Sequence, residues 1–313
     1  MQNQIIEFLK REKDYLSGED ISRQLRISRA GIWKNIEELR KEGYCIEAMP
    51  NVGYRLVSVP DKLIPREIQH ELKTKTFGRN IFYHDSVGST MTEAFRLGLE
   101  GASEGTIVVA EQQRQGKGRL GRKWVSPKGK GIYMSIILRP NFSPTDATKL
   151  TLLSAVGVCK AVNRFAGIEA RIKWPNDVLV GNRKLAGILT ELNAEMDRVR
   201  FVVVGIGINV NTPSHVLPPH ATSLKLETKK QMSRLGLVKE VLYELETLYF
   251  DCLENGFVGI VDQWKGLSST IGKRIRIDDV EGEVVGLDES GGLMIRNRGG
   301  IIVKRMTGDV VYC

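Results

Sequence analysis

The residues best suited to chemistry are gathered between Glu111 and Ser135, in the stretch EQQRQGKGRLGRKWVSPKGKGIYMS. Seven basic side chains stand there (Arg114, Lys117, Arg119, Arg122, Lys123, Lys128 and Lys130), and no acid follows Glu111. Five glycines, Gly116, Gly118, Gly121, Gly129 and Gly131, free the backbone to turn and to bring its N–H groups against a ligand. Cations combined with accessible N–H donors make an anion site. Charge density alone leaves a second reading open, a solvated basic hairpin that binds nothing. The glycine spacing from Gly116 to Gly121 is that of a P-loop. Arg122-Lys123 nevertheless stands where Lys and then Ser or Thr are needed, and Trp124-Val125-Ser126-Pro127 opens no helix. The dinucleotide fingerprint fails for the same lack of a helix. Any anion bound here is gripped in another way.

Four further places carry residues of the same promise. Ser89 and Thr90 begin a helix, where hydroxyls either cap the free N–H groups or meet a neutral polar ligand. Lys173-Trp174-Pro175-Asn176-Asp177 ends a strand in a turn, and on residue types alone plain turn chemistry accounts for Asn176 and Asp177 better than a ligand does. Lys184 reads equally as a solvated strand residue. Gly205-Ile206-Gly207 follows the apolar strand Phe201 to Val204 and lacks the third glycine of a dinucleotide turn. Asn209 and Asn211 after it suit a loop that touches a ligand.

The elements that must position these residues are legible from periodicity. Thr106 to Ala110 and Ile132 to Leu138 flank the basic stretch as buried strands. Ile81-Phe82-Tyr83 is strand-like, and a helix runs through Met91, Ala94, Phe95 and Leu97. Asp146 to Ala166 predicts one amphipathic helix. Arg171 to Trp174 is a strand, and Val178 to Val180 pairs with Lys184 to Leu192 across a Gly181-Asn182 turn. Met232 to Glu254 predicts a helix concerned with packing only. After about Lys265, short strands at Arg274–Ile277, 282–286, 292–295 and 300–303 alternate with glycine turns, which predicts a small all-β barrel without catalytic residues.

The first sixty residues read differently. Ile5, Ile6, Phe8 and Leu9 mark a short helix; Ser17 caps a second, with Ile21 and Leu25 inward; Ser28 caps a third from Arg29 to about Glu42, with Ile32, Ile36 and Leu39 buried. Two short strands around a turn at 49–53 complete a winged helix-turn-helix. The segment carries ten basic and nine acidic residues, yet Ile21 to Asn35 holds Arg23, Arg26, Arg29 and Lys34 without an acid. Cations at that turn suit phosphate contacts. Arg23, Ser28, Arg29, Ala30, Trp33 and Lys34 are the expected DNA-facing residues; a winged helix used for protein contacts is the competing reading.

Composition bounds the rest. The chain has 313 residues, 42% hydrophobic and 27% charged, and reads as an ordinary globular protein of two or three domains. A net charge of +9 favours an anionic partner such as nucleic acid or a nucleotide. The four scattered cysteines, with no C-x-x-C, argue against disulfides or structural zinc and for a reducing cytoplasm. The four histidines show no metal-binding spacing. No leader peptide and no bilayer-spanning segment are visible.

Four stretches in order, Gly116 to Pro127, Lys173 to Asp177, Arg183 to Leu189 and Gly205 to Asn211, resemble the signatures of biotin–protein ligases that carry an N-terminal winged helix and double as biotin operon repressors. The resemblance implies an α+β fold with winged helix (1–60), a central mixed sheet with helices (66–264) and a small C-terminal β-barrel (265–313). It implies a two-step reaction: biotin's carboxylate attacks the α-phosphate of ATP to give biotinyl-5′-AMP, and a lysine of a biotin carboxyl carrier protein then takes the acyl group. It assigns Arg119 and Lys184 to the carboxyl–phosphate junction. Ser89, Thr90, Met91, Gln113, Lys117 and Gly118 would join them at biotin. Gly116, Arg122, Trp124, Lys173, Asn176, Asp177, Gly207, Asn209 and Asn211 would meet ATP or the adenylate, with Asp177 on Mg²⁺. It further implies a dimer promoted by biotinyl-AMP on operator DNA. One departure stands out: Lys117 occupies a place where arginine is usual, so backbone contacts there survive and a bidentate guanidinium contact does not. Two alternatives remain beside this reading, a lipoate–protein ligase and a ligand-sensing repressor without ligase activity.

Overall fold

Apolar residues at helical spacing build the N-terminal region. The computed structural model describes residues 1–12, 14–196 and 198–313. Helices α1 (Gln2–Arg11), α2 (Gly18–Leu25) and α3 (Arg29–Lys41) precede a hairpin of β1 (Cys45–Met49) and β2 (Gly53–Ser58). Ile5, Ile6, Leu9, Ile21, Ile32, Ile36 and Leu39 form one core. Both expected caps are present: Ser17 Oγ accepts from the Glu19 N–H at 3.1 Å, and Ser28 Oγ accepts from the Gly31 N–H at 3.1 Å. Contacts divide the chain into two compact units, 1–62 and 63–313.

The second unit begins with α4 (Pro65–Gln69), β3 (Ile81–His84), α5 (Thr90–Leu99), β4 (Ile107–Ala110) and β5 (Gly131–Leu138). It continues with α6 (Pro144–Ala147), α7 (Leu150–Ala166), β6 (Ala170–Lys173), β7 (Asp177–Val180), β8 (Arg183–Glu195) and β9 (Arg198–Asn209). Helices α8 (Leu224–Thr228), α9 (Arg234–Asn255) and α10 (Val258–Leu267) follow. The expected single helix from Asp146 is therefore two, because Ser143 caps the short α6 and the chain re-enters helix at Leu150. Seven strands form one mixed sheet in the order β3-β4-β5-β9-β8-β7-β6, parallel only between β3 and β4. β5 is buried along its whole length, as a central strand covered on both faces must be. Helix α5 packs on one face; α7, α9 and α10 pack on the other.

The C-terminal strands are β10 (Arg274–Ile277), β11 (Val280–Leu287), β12 (Leu293–Asn297), β13 (Ile302–Arg305) and β14 (Val311–Tyr312). They pair in the order β13-β12-β11-β10-β14. This corrects the expected barrel: β13 and β14 end the sheet without pairing to each other, so it stays open. Closure would turn the apolar face onto itself. Here Ile275, Ile277, Val284, Leu293 and Ile295 instead join the core that holds α7 and α10. Among the described residues no helix is long and apolar enough to cross a membrane.

Helix α9 does more than pack. Its Glu246 carboxylate accepts the N–H groups of Lys75, Thr76 and Phe77 at 2.6 to 2.7 Å. Its first residue, Arg234, reaches Glu111 Oε2 at 2.7 Å, with both side chains almost fully buried. Removing one partner of such a pair strands a buried charge. Arg234→Met is expected to lower unfolding free energy by about 3–5 kcal/mol, read by urea denaturation. Pairing it with Glu111→Gln should recover part of the loss.

Candidate functional site

The basic stretch is a long connection between the antiparallel neighbours β4 and β5, and its two ends are fixed. Glu111 Oε1 accepts the Leu63 N–H at 2.8 Å, the Glu111 carbonyl accepts the Gly129 N–H at 3.0 Å, and Arg234 also donates to the Gly131 carbonyl at 3.4 Å. Beyond Glu111 the chain runs beside Val87 and Gly88, which accept the N–H groups of Arg114 and Gln115 at 2.9 and 2.7 Å. From Gly116 to Trp124 it folds back on itself. Trp124 donates its N–H to the Gly116 carbonyl at 2.9 Å, and Gly118 donates to the Arg122 carbonyl at 2.7 Å. The Gly118 N–H is thus already used within the loop.

A cleft opens between this loop and the strand face of β8 and β9. Most of the expected residues line it: Thr90, Met91 and Gln113 at one end; Lys117, Gly118, Arg119, Arg122 and Trp124 from the loop; Asn176, Asp177, Lys184 and Gly207 opposite. The glycines of β9 explain its shape. Gly205 and Gly207 form no turn; they lie inside a strand that runs unbroken to Asn209, which corrects the expected loop. A Cβ on Gly207 would fall 2.5 Å from the Trp124 indole, and one on the paired Gly187 3.0 Å from it. A Cβ on Gly205 would fall 2.3 Å from Met91 Sδ. Glycines on two strands thus leave room for Trp124 and Met91 to approach the sheet backbone closely.

The Met91 end is polar and buried. Gln113 Oε1 accepts from the Thr90 N–H at 2.9 Å and from its hydroxyl at 3.1 Å, while Gln113 Nε2 donates to Ser126 Oγ at 3.0 Å. Ser135 donates to Thr90 Oγ1 at 2.9 Å. Ser89 heads α5 yet makes no cap bond, and its buried hydroxyl has no partner. The Trp124 indole N–H is also buried without a partner. Orphaned polar atoms beside a cavity are what a bound polar ligand would complete.

Cations gather at the other end. Arg119 donates to Asn176 Oδ1 at 3.1 Å and to the Gly308 carbonyl at 3.4 Å; Arg122 pairs with Asp309. Lys184 Nζ lies 2.6 Å from the buried Asp177 Oδ1, an ionic contact without hydrogen-bond geometry, and 5.6 Å from the Trp124 ring centre. Lys117 reaches Glu191 only at 4.0 Å. Lys173 lies outside the cleft lining, 5.2 Å above the Tyr312 ring. Burial pushes its ammonium below the usual lysine range, against the pull of Asp177 and Asp309. Among the described residues no group of three or more His, Cys, Asp or Glu could hold a metal ion.

Besides Lys173, four expected residues sit apart from the cleft lining. Ser89 is buried next to Thr90 in the chain. Gly116 is buried where a Cβ would strike the Trp124 carbonyl at 2.5 Å. Asn209 is buried at the end of β9 opposite Gly131. Asn211 exchanges hydrogen bonds with Met232 at 2.8 and 3.0 Å and holds the approach to α9. Asp309, Gly308 and Tyr312 were missed, since the C-terminal strands carry no motif. Arg234 left one signal, a charge at the head of an apolar helix.

In the N-terminal unit, Arg23, Ser28, Arg29, Ala30, Trp33 and Lys34 are all exposed, Trp33 at 59%. The run of cations is less bare than its sequence reads. Glu19 lies 2.8 Å from Arg29, and Glu19 and Asp20 each approach Arg23 to 3.9 Å.

The Biotin/lipoate A/B protein ligase family matches residues 83–209, and an HTH domain matches 1–55. The bifunctional ligase/repressor BirA of Bacillus subtilis is 41% identical over 94% of this chain and 93% of its own length. That of Escherichia coli is 28% identical over 95% and 92%. The structure of the Aquifex aeolicus biotin protein ligase in complex with biotin and ATP superimposes with a TM-score of 0.65 at 30% identity, over 75% of this chain and 99% of that one. Fold and cleft thus define a ligase domain joined to a DNA-reading helix-turn-helix. The chain belongs to the Biotin/lipoate A/B protein ligase family, in its two-part ligase/repressor form.

The glycine shelf is directly testable. Gly207→Ala should destabilise the fold by about 1–3 kcal/mol through overpacking. Most of that cost should vanish in a Trp124→Ala background, as a four-protein urea cycle would measure.

Proposed function

We propose that this chain is an ATP-dependent biotin–protein ligase that also represses biotin genes. The observation that carries the ligase reading is one cleft with a buried, partly unsatisfied polar end and a cationic end, bridged by Trp124 on its glycine shelf. Biotin's ureido ring fits the polar end, where Ser89, Thr90 and Gln113 offer hydroxyls and an amide that both donate and accept. Its carboxylate then points to Arg119 and Lys184. In step one a carboxylate oxygen bonds to the α-phosphorus of ATP and the α–β phosphoanhydride breaks, releasing pyrophosphate. The two reactants are both anionic, so fixed cations offset their repulsion and the charge that grows on phosphate. Arg119, Lys184 and Arg122 supply that field, Trp124 and Asn176 line the nucleotide side, and Lys173 stands beyond it. In step two an amine of a biotin carboxyl carrier protein attacks the acyl carbon, and AMP leaves.

We assign Mg²⁺ to Asp177, a carboxylate of the cleft lining. Its Oδ1 is now held by Lys184, so the ion would bind with phosphate oxygens and water as its remaining ligands. The bound ion would neutralise phosphate charge.

The repressor reading rests on the winged helix and its exposed face around Ser28, Arg29, Ala30, Trp33 and Lys34, with Arg23 beside it. Paired half-sites on operator DNA ask for a twofold dimer, and we assign its formation to biotinyl-AMP. Four free thiols suit a reducing cytoplasm.

Biotin-dependent exchange of labelled pyrophosphate into ATP is expected from the purified protein with Mg²⁺. Arg119→Ala should reduce it about a hundredfold, near 3 kcal/mol. Exchange without biotin, or none at all, would overturn the ligase reading. For the winged helix, Arg29→Ala should weaken operator binding and lower the slope of log K against log salt by about 1. An unchanged slope would remove Arg29 from the phosphate contacts.

A further inference from the structure

We propose that Glu19 is an internal competitor for DNA phosphate: it occupies Arg29 in the free protein and so restrains sequence-independent binding. This rests on the repressor reading above. A depression between the start of α2, the start of α3 and the wing is lined by Ser17, Glu19, Arg29 and residues 48–54. Among the described residues Glu19 and Arg29 are the charged groups of that lining. They meet at 2.8 Å, so the cation of the depression is already neutralised. Glu19 also stands 3.9 Å from Arg23. The wing brings no replacement. Its tip, Met49 to Gly53, carries no charge, and Arg55 of β2 is held by Glu47 at 2.7 Å and lies 4.9 Å from the Tyr15 ring centre.

The fold does not need this pair. The Arg29 and Glu19 side chains are 74% and 61% exposed, and ion pairs so exposed add little stability. Ile21 of α2 packs with Ile32 and Ile36 of α3 in one buried core, which joins the two helices without it. Nor does α2 need the Glu19 carboxylate to begin. Ser17 Oγ caps the helix by accepting the Glu19 N–H at 3.1 Å, and Asp20 places a second acid in the first turn. What the carboxylate does is stand where a phosphate would. A DNA phosphate that reaches Arg29 must displace Glu19, and it then lies near a freed charge of its own sign. Binding to random sequence consists essentially of phosphate contacts, so nothing there offsets that cost. An operator complex bears the same cost and offsets it with base contacts.

The test measures binding of a random-sequence DNA duplex to the full chain, without biotin or ATP, by fluorescence anisotropy. Glu19→Gln should bind it about three- to tenfold more tightly than wild type, from the lost ion pair and the lost repulsion together. In an Arg29→Ala background the same substitution should change affinity less than about twofold. Glu38→Gln removes an equal charge from the last turns of α3. At ~1.5 Å per residue it lies roughly 14 Å along the helix from Arg29, beyond the ~8 Å screening length, and it should also stay within about twofold. Unchanged or weaker binding by Glu19→Gln would overturn the proposal. So would equal tightening by Glu38→Gln or without Arg29, either of which would make Glu19 one negative charge among many. A wild-type chain that binds no DNA even with biotinyl-AMP present is a different result, and it would strike the repressor reading itself.

Discussion

Arg234 and Glu111 meet 2.7 Å apart with almost no solvent contact, and both ends of the 111–131 loop hang on that meeting. Seven cations on one glycine-rich segment repel one another, and glycine offers the chain little conformational resistance. Such a segment has no reason of its own to hold a shape. The pair supplies one: Glu111 fixes the start of the loop, receives the Leu63 N–H and through its carbonyl receives Gly129, while Arg234 also reaches the Gly131 carbonyl. Taking both charges out of water is costly, and one partner without the other is costlier still. The pair therefore tends to persist as a unit and transmits the rigidity of α9 to the loop.

The sheet contributes the second constraint. A strand face normally presents a side chain at every other residue. Gly187 and Gly207 face each other across β8 and β9, and the Trp124 indole fills the space they leave. Gly205 does the same for Met91. The loop is thus held at its ends by charge and in its middle by an aromatic ring seated on bare backbone. The cleft between is defined by two rigid parts, which is how a site keeps its geometry while its ligands come and go.

Much of this was legible from residue types. The strands beside the loop, the hairpin at Gly181-Asn182, the three helices and wing of the N-terminal unit and both serine caps follow from periodicity and turn chemistry. Thr90, Gln113, Arg119, Asp177 and Lys184 do meet in one cleft. What stayed hidden was long-range. Nothing local distinguishes a glycine pair that opens a turn from one that clears a shelf inside a strand, so Gly205 and Gly207 were misread. The C-terminal strands announced a barrel by spacing, but closure depends on which face finds a partner, and their apolar face found α7 and α10. Asp309 looked idle because its partner, Arg122, lies far away in sequence.

That distant pairing bears on how a site with so much positive charge can exist before its ligands arrive. Three cations of the cleft already have a modest internal partner: Arg122 has Asp309, Lys184 has Asp177, and Arg119 has an amide and a carbonyl oxygen. Lys117 has only the distant Glu191. These partners are weaker than a triphosphate, since a single carboxylate or a neutral dipole offers less charge than several phosphate oxygens. On the proposed ligase reading, binding an anionic substrate is an exchange of partners among groups already held in place, and the internal partners reduce the repulsion between cations in the free state. The internal anions of the C-terminal sheet and of β7 thus belong to the site as much as the loop that they restrain.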